Sequence, residues 1–260
     1  MMYAEKTINK NNVNSILKLF AKEYKKTCGK TPSEFIIVGG GSILLNYHFR
    51  DATLDLDAII SAASGIKDAI ASVARQLNLE PDWLNSDFIY TSSFSNKLTQ
   101  ISTHYLTLNN GAMEIRTVKA EYLIAMKAIS ARDYGHDISD IVGILREEAL
   151  SGNHIDIHKI DQAIDFLYDG RNMETYIRNK LIKYTNMTPD ELLTEYQRLV
   201  KSAEILRAEI IDKVKEDDIN LTRNNIKEIS KAIYLKQKNH NQSNNVNNME
   251  DIESQEEEER

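Results

Sequence analysis

The feature that most constrains this chain is a stretch from residue 36 to 60, where a short apolar run, three glycines and an alternating acidic run follow one another. The apolar run EFIIV, at 34–38, is short and unbroken, which predicts a buried strand. Three glycines, 39 to 41, end this strand, and residues 41–48 are typical of a helix that starts directly after them. A strand, a glycine turn and a helix in this order let backbone N–H groups approach an anion, such as a phosphate, at the helix N-terminus.

A second strand is predicted in LDLDAII, which begins at residue 54, because apolar and polar side chains alternate. The alternation predicts one face with Leu54, Leu56 and Ala58, and an opposite face with Asp55 and Asp57. Two residues apart on a strand, the two carboxylates leave the same face with their Cα atoms about 6–7 Å apart. They repel each other unless a cation lies between them, and Mg²⁺ is the usual cation when phosphate shares the coordination.

Three further polar residues lie between the glycines and the aspartates. Ser42 and Thr53 carry hydroxyls, and Arg50 carries a cation, all of which suit phosphate or sugar oxygens. Taken singly, a triple glycine is more often a flexible turn, and an Asp-x-Asp strand is more often a solvated edge. In this order and this close together, the two features predict metal-assisted phosphoryl or nucleotidyl transfer.

The stretch VGGGSILLNYHFRDATLDLDAII, at 38–60, resembles the GG(A/S)…R-x-(S/T)-x-D-I-D signature of the DNA-polymerase-β-like nucleotidyltransferase superfamily. Within that superfamily it resembles a bacterial group of abortive-infection-type toxins and related domains of unknown function. Two other segments resemble the same group: PDWLN at 81–85 and EYLIAMKAISARDYGHDISDIVGIL at 121–145. The resemblance covers about residues 10–150 and implies an α+β nucleotidyltransferase fold, in which a mixed sheet with flanking helices precedes a helical C-terminal region.

The resemblance also implies roles for particular residues. It implies that Gly39, Gly40 and Ser42 hold the triphosphate and that Asp55 and Asp57 bind two Mg²⁺ ions. It also implies that Lys127 projects toward the nucleotide, and that an element that closes the cleft includes Arg132, Asp137 and Asp140. Simpler alternatives stand beside these roles. Lys127 is also compatible with an exposed helical lysine, and Asp137 and Asp140 with acids that favour a helix N-terminus.

Active members of the superfamily usually carry a third carboxylate on a later strand. In this sequence Glu114, within AMEIRTV, is the best candidate for that metal ligand or base, and Glu121 is a weaker one. A paired surface acid is the alternative for Glu114.

The rest of the chain predicts a mixed α/β part followed by helices. Asn109, Asn110 and Gly111 lie between two β-prone runs, 103–108 and 112–118, which predicts a hairpin. Helices are predicted over 11–28, 65–77, 119–132, 137–150, 158–168, 173–184 and 222–236, and over a stretch from Thr188, which forms a capping box with Glu191, to about residue 215. These elements suggest a nucleotidyltransferase core over 1–118, a helical domain over 119–236 and a disordered acidic tail over 237–260.

Composition narrows the class of protein. The chain has 260 residues, a formal net charge of −7 and one cysteine. The net charge argues against broad non-specific binding of nucleic acid, and the single cysteine excludes an intrachain disulfide and disfavours a zinc cluster. No signal-like apolar segment or membrane-length run is present, so we expect a cytoplasmic protein, of bacterial style in its Lys, Ile and Asn usage.

Three hypotheses about function follow. The first is a metal-dependent nucleotidyltransferase that moves a nucleoside monophosphate from an NTP to an acceptor, such as tRNA, a protein hydroxyl or a small molecule. The resemblance implies that such an enzyme acts as a toxin held by an antitoxin partner. The second is a catalytically silent module that binds a nucleotide or a protein through the same cleft. The third is an interaction protein whose helical half and acidic tail bind partners.

Overall fold

The structure, a computed structural model, describes residues 7–131, 136–216 and 229. Over these residues the strands are β1 (Ile8–Asn9), β2 (Ser33–Ile37), β3 (Ala52–Thr53), β4 (Leu56–Ser61), β5 (Leu84–Asn85), β6 (Ser102–Leu108) and β7 (Met113–Val118). The α-helices are α1 (Val13–Cys28), α2 (Gly39–Asn46), α3 (Ile66–Leu77), α4 (Leu98–Ile101), α5 (Ala120–Ser130), α6 (Asp137–Leu150), α7 (Ile157–Tyr168), α8 (Thr175–Thr185) and α9 (Pro189–Glu216). Two short 3₁₀ turns, Asp87–Tyr90 and Asn109–Gly111, complete the described elements.

Among the described strands, five form one mixed sheet in the order β5-β4-β2-β7-β6. Strand β2 lies in its centre, antiparallel to β4 and parallel to β7. At the edges, β5 runs parallel to β4 and β6 runs antiparallel to β7. Helices flank this sheet and, in the described part of the chain, follow one another after β7 without another strand. The predicted α+β class, with a mixed sheet and a helical C-terminal part, is confirmed.

One side of the sheet packs against α1 and α3. Their apolar stripes join β2, β4 and β7 in a single buried cluster. Four of its aromatic rings meet there, with the Phe20 centroid 5.3 Å from that of Phe35 and 5.7 Å from that of Trp83. Trp83 is fully buried and its indole N–H donates to the Ile70 carbonyl at 3.1 Å, so this tryptophan anchors α3 to the sheet.

The hairpin predicted from its turn residues is confirmed. Asn109 and Asn110 adopt positive φ angles of 54° and 53°, and Gly111 follows at 92°. Asparagine and glycine tolerate this left-handed backbone, so the chain reverses here and β6 pairs with β7.

The single strand predicted from residue 54 to 60 is wrong at its start. The chain forms two strands instead, because Thr53 of β3 pairs with Ile8 of β1, whereas the Leu56 N–H at the start of β4 donates to the Trp83 carbonyl. Leu54 lies between these two pairings and is 65% exposed, whereas Leu56 and Ala58 are fully buried. The three side chains that the alternation placed on one face therefore do not share one environment.

The capping box predicted at the start of α9 is confirmed. The Thr188 N–H donates to Glu191 Oε2 at 2.8 Å, and the Glu191 N–H donates to Thr188 Oγ1 at 3.4 Å. Reciprocal bonds of this kind satisfy N–H groups that the first helical turn leaves without partners.

The chain divides into two compact units. The described residues of the first are 7–131 and 137–196, so it contains the whole sheet and helices α1 to α8; those of the second are 136, 197–216 and 229. Inside the second unit, Leu206 and Ile210 of α9 pack with Ile229. The predicted domain boundaries at 118 and 236 stay predictions. The tail at 237–260 and, apart from Ile229, the helix predicted at 222–236 lie outside the described residues.

Candidate functional site

The glycine turn and the aspartate pair meet at one end of β2. Strand β4 pairs with β2 so that the Val38 N–H donates to the Asp57 carbonyl at 2.9 Å, directly before α2 begins. A Cβ atom built on Gly39 would lie 3.8 Å from Asp57 Oδ2. Asp55 lies one residue before β4 and is partly buried. Two segments that are separate in the sequence therefore form one polar site.

The glycines are needed for two different reasons. Gly39, the first residue of α2, has a φ of +56°, which disfavours a side chain there. At Gly41 a Cβ would lie 2.8 Å from Leu56 Cδ2 and 2.9 Å from Ile37 Cγ2, so this glycine lets α2 approach the sheet closely. The first amides of α2 have no acceptor within their own helix, and the positive end of its dipole lies beside Asp57.

Asn85, which the sequence analysis did not single out as a site residue, completes the acidic edge. It lies opposite Asp57 in the β4–β5 register, and its amide lowers the pKa of Asp55. The Asp87 N–H donates to Asn85 Oδ1 at 2.9 Å, while Nδ2 donates to the Asp82 carbonyl at 3.2 Å. The signal was present in the PDWLN segment, but only the strand register shows which of its residues reaches the aspartates.

The electrostatics of Asp55 reflect this crowding. Burial and then the nearby Asp82 carboxylate raise the pKa of Asp55, whereas the hydrogen bond from Asn85 and the charge of Arg50 lower it. The net effect is a raised pKa, so the ionised carboxylate is less stable here than in water. A cation bound beside Asp55 would remove part of this penalty.

Arg50 connects the glycine turn to α6. Its Nη1 donates to both oxygens of Asp140, at 3.0 and 2.8 Å, and its Nε donates to the Ala52 carbonyl at 3.3 Å. Its Nη2 lies against the turn, since a Cβ on Gly40 would be only 2.8 Å away from it. The guanidinium therefore lies at the N-terminus of α2, where the sequence predicted a contact with phosphate.

Lys127 is a buried lysine. Its contacts with the described residues do not direct it at the glycine turn. Its ammonium group lies 2.8 Å from Asp137 Oδ1 and 2.8 Å from Asp140 Oδ2. Asp137 also accepts a hydrogen bond from the Ser130 hydroxyl at 2.9 Å. Burial disfavours the ammonium, but Asp140 and Asp137 outweigh it and raise the pKa of Lys127, so the side chain stays charged.

Two predicted phosphate ligands face the interior instead. Ser42 is fully buried, and its hydroxyl accepts a hydrogen bond from the Val118 N–H at 3.1 Å, which joins α2 to the end of β7. Thr53 is buried in β3 opposite Ile8. Both residues therefore shape the backbone around the site rather than its surface.

The structure does not bring the candidate third carboxylates to the aspartate pair. Glu114 pairs with Glu34 of β2, and Glu34 pairs with Ser61 of β4. Ser61 is four residues after Asp57, so the position of Glu114 is about 13 Å from that of Asp57 along the strand direction. The Glu114 carboxylate lies 3.7 Å from His104 Nδ1. This displacement follows from the register of β7, which the sequence alone did not reveal.

Glu121 lies at the opposite end of α2 from the glycines. It lines a cavity of about 330 Å³ together with Tyr47, Lys119 and Glu148. Arg132, the remaining predicted site residue, lies outside the described residues. Over 7–131 and 136–216, no group of three or more His, Cys, Asp or Glu side chains is arranged to hold a metal ion. The same residues include no helix long and apolar enough to cross a membrane.

The comparisons with known proteins give one match. The model of a family described as "Nucleotidyltransferase of unknown function (DUF6036)" matches residues 14–192, which include the glycine turn, both aspartates and the buried ion pairs. No curated protein and no solved structure matches the chain.

Proposed function

Since this chain belongs to the family of nucleotidyltransferases of unknown function, we propose that it transfers a nucleoside monophosphate from an NTP to an acceptor hydroxyl in a magnesium-dependent reaction. The observation that carries the proposal is the junction of the α2 N-terminus with Asp57, where a helix start, whose amides favour an anion, lies beside a carboxylate. An NTP bound with Mg²⁺ needs both chemistries within a few ångströms of each other.

The triphosphate would lie at the N-terminus of α2. The amides that begin this helix and the Arg50 guanidinium beside Gly40 both favour negative charge there. Glycine at 39 leaves the backbone without a side chain, so phosphate oxygens can approach the amides, and at Gly40 the Arg50 guanidinium takes the place of a side chain.

The donor set of the acidic edge fits magnesium. Asp55 and Asp57 would hold the metal through hard carboxylate oxygens, and a cation there would offset the burial and the Asp82 charge that raise the pKa of Asp55. Phosphate oxygens and water would supply the other ligands, as is usual for magnesium with a nucleotide. When bound, the metal supplies neutralisation of the charge that builds up on the phosphates.

The proposed transfer forms a bond between the acceptor oxygen and the α-phosphorus and breaks the bond to the pyrophosphate, which leaves with its electron pair. The acceptor's proton passes to solvent. Asn85 carries no charge and cannot take this proton, but its amide favours the ionised form of Asp55. Positioning and charge stabilisation account for most of the catalysis in phosphoryl transfer, and these are the roles that we propose for the α2 amides, Arg50 and the aspartates.

The resemblance to toxin-like nucleotidyltransferases makes tRNA and protein hydroxyls the first acceptors to examine. It also makes an antitoxin the first partner to look for. The second candidate function is a module that binds a nucleotide without turnover. The observation that favours it is the amide of Asn85, which lies at the strand position level with Asp57, where a third acid would complete the site.

The test is transfer of label. The purified protein is incubated with Mg²⁺, each α-labelled NTP, and total cellular RNA and protein, beside Asp57→Asn and a matched control, Asp165→Asn, which changes an exposed aspartate on α7. We expect label on one acceptor class with the wild type and the control, and a loss of at least about a hundredfold with Asp57→Asn. Full transfer by Asp57→Asn would refute the mechanism, and NTP binding without pyrophosphate release would favour the silent module.

A further inference from the structure

A chain of four charged side chains, three buried and one partly buried, runs from the helical part of the first unit to the glycine turn. Asp137 and Asp140 of α6 have side chains 0% and 4% exposed, Lys127 of α5 is 10% exposed, and Arg50 is 18% exposed. Two cations and two anions make the group neutral. Charges as buried as these are tolerated only when each has its partner.

Asp140 has a different place in this group from the other three. Its two oxygens accept from Arg50 Nη1, and Oδ2 also contacts the Lys127 ammonium, so among the described members of the group Asp140 joins the arginine to the buried lysine. Asp137 balances Lys127 from the other side and receives the Ser130 hydroxyl.

The bonds to Arg50 determine where its free edge points. Asp140 holds Nη1 and the Ala52 carbonyl holds Nε, which together orient the guanidinium plane. Nη2 is then left against Gly40 at the start of α2. An arginine is planar and its donors lie in a rigid fork, so a fixed plane gives a fixed donor direction.

We infer that Asp140 is a positioning residue of the nucleotide site: it holds the Arg50 guanidinium at the N-terminus of α2, where Arg50 contacts the triphosphate, while Lys127 balances the charge of Asp140 and does not touch the nucleotide. The inference rests on the proposed function and names the residues that prearrange its phosphate subsite. A side chain that was already held loses little conformational freedom when the phosphate binds.

The test compares two affinities in the same variants. The dissociation constants of the best-bound Mg–NTP and of its nucleoside are measured by calorimetry for the wild type, Asp140→Asn, Asp140→Glu, Arg50→Lys and the double variant Arg50→Lys/Asp140→Asn. We expect Asp140→Asn and Arg50→Lys each to raise the dissociation constant of the triphosphate about tenfold, the scale of one charge-assisted hydrogen bond, and to leave that of the nucleoside unchanged. The double variant should lose little more than either single one, and Asp140→Glu should recover part of the loss.

A control separates positioning from stability. Tyr47→Phe removes a buried hydroxyl that donates to Glu148 at 2.8 Å, near the C-terminal end of α2, and it should lower the melting temperature without changing the triphosphate affinity. If Asp140→Asn does not fold, Gly40→Ala replaces it, because the new Cβ would push Nη2 out of its place without removing a buried charge.

The outcomes distinguish the two proposals. A wild-type protein that binds no NTP would refute the proposed function itself. A wild type that binds NTP, together with a folded Asp140→Asn or Gly40→Ala that keeps the full triphosphate affinity, would overturn the positioning role alone. Equal losses for the triphosphate and the nucleoside would also overturn it, because they would show a general loss of structure.

Discussion

Replacement of Lys127 by methionine tests the buried charge group most directly. The side chains have similar length, so the main change is the loss of the ammonium that lies 2.8 Å from both Asp137 and Asp140. Asp140 would keep its bonds from Arg50, whereas Asp137 would lose its 2.8 Å contact with the ammonium and keep the hydrogen bond from Ser130. Both carboxylates are buried, so each would lose an opposite charge that stabilises its ionised form.

Removal of one partner from a buried ion pair costs about 3–5 kcal/mol. Two features of the structure act in opposite directions on this range: Lys127 contacts two carboxylates, which raises the cost, and Arg50 still neutralises one of them, which lowers it. We therefore expect a loss of about 4 kcal/mol at neutral pH. For a unit of this size each kcal/mol corresponds to about 2–4 °C, which predicts a fall in melting temperature of roughly 8–16 °C.

The pH dependence gives the prediction a second readout. In Lys127→Met, loss of the ammonium makes the ionised form of the two buried aspartates less stable in the folded state than it is in the wild type. The folded variant then binds protons more tightly than the folded wild type does, so the deficit against the wild type shrinks as the pH falls toward 5.

The assay is urea denaturation at pH 7.5 and 5.0, with Lys18→Met, an exposed lysine of α1, as the matched control. The control should stay within about 0.5 kcal/mol of the wild type. A Lys127→Met protein within about 1 kcal/mol of the wild type at pH 7.5, or one whose deficit grows on acidification, would refute the reasoning.

Two further predictions concern the acidic edge and the start of α9. Asn85→Asp adds a carboxylate beside Asp55 and Asp82, so the melting temperature of the variant without metal should fall below that of the wild type. Addition of Mg²⁺ should raise the melting temperature of the variant more than that of the wild type or of the control Asn153→Asp, which changes an exposed residue. An equal rise in the variant and the wild type would contradict the proposed metal position. At α9 the Thr188 N–H and hydroxyl lower the pKa of Glu191, so the folded state favours the ionised form. The stabilisation is present above the unfolded pKa of about 4.3 and is lost as the pH falls through the folded value, and a Glu191→Gln variant measured by circular dichroism should lack this acid-dependent part.

Local structure was predictable because it depends on contacts between residues that are close in the sequence. The three- and four-residue spacing of Val13, Ile16 and Phe20 predicted α1, and all three side chains are buried. The Asn-Asn-Gly turn and the Thr188 cap predicted a hairpin and a helix start, since their chemistry acts over three or four residues. The meeting of the glycine turn with Asp57 was also predicted, because one strand, one short helix and the next strand bring them together.

The remaining features depend on register and on packing between distant segments. Asn85 reaches the aspartates only because β5 pairs with β4 at Asp57, and Glu114 is remote only because β7 pairs with β2 at Glu34. A residue type does not specify which strand lies next to it, and a shift of register moves every side chain.

The sequence by itself therefore determined the fold class, most of its elements and the pair of chemistries at the site, because hydrophobic periodicity, turn residues and strand alternation are local. Only the tertiary structure decided which charges work together. Arg50 and Asp140 are 90 residues apart in the chain, and their bond exists because α6 packs over the turn after α2 and makes an unpaired charge there too costly. Burial of this kind is a property of the packed molecule. The sequence predicted that Lys127 projects toward the nucleotide, whereas in the packed molecule it is the counter-ion of two aspartates.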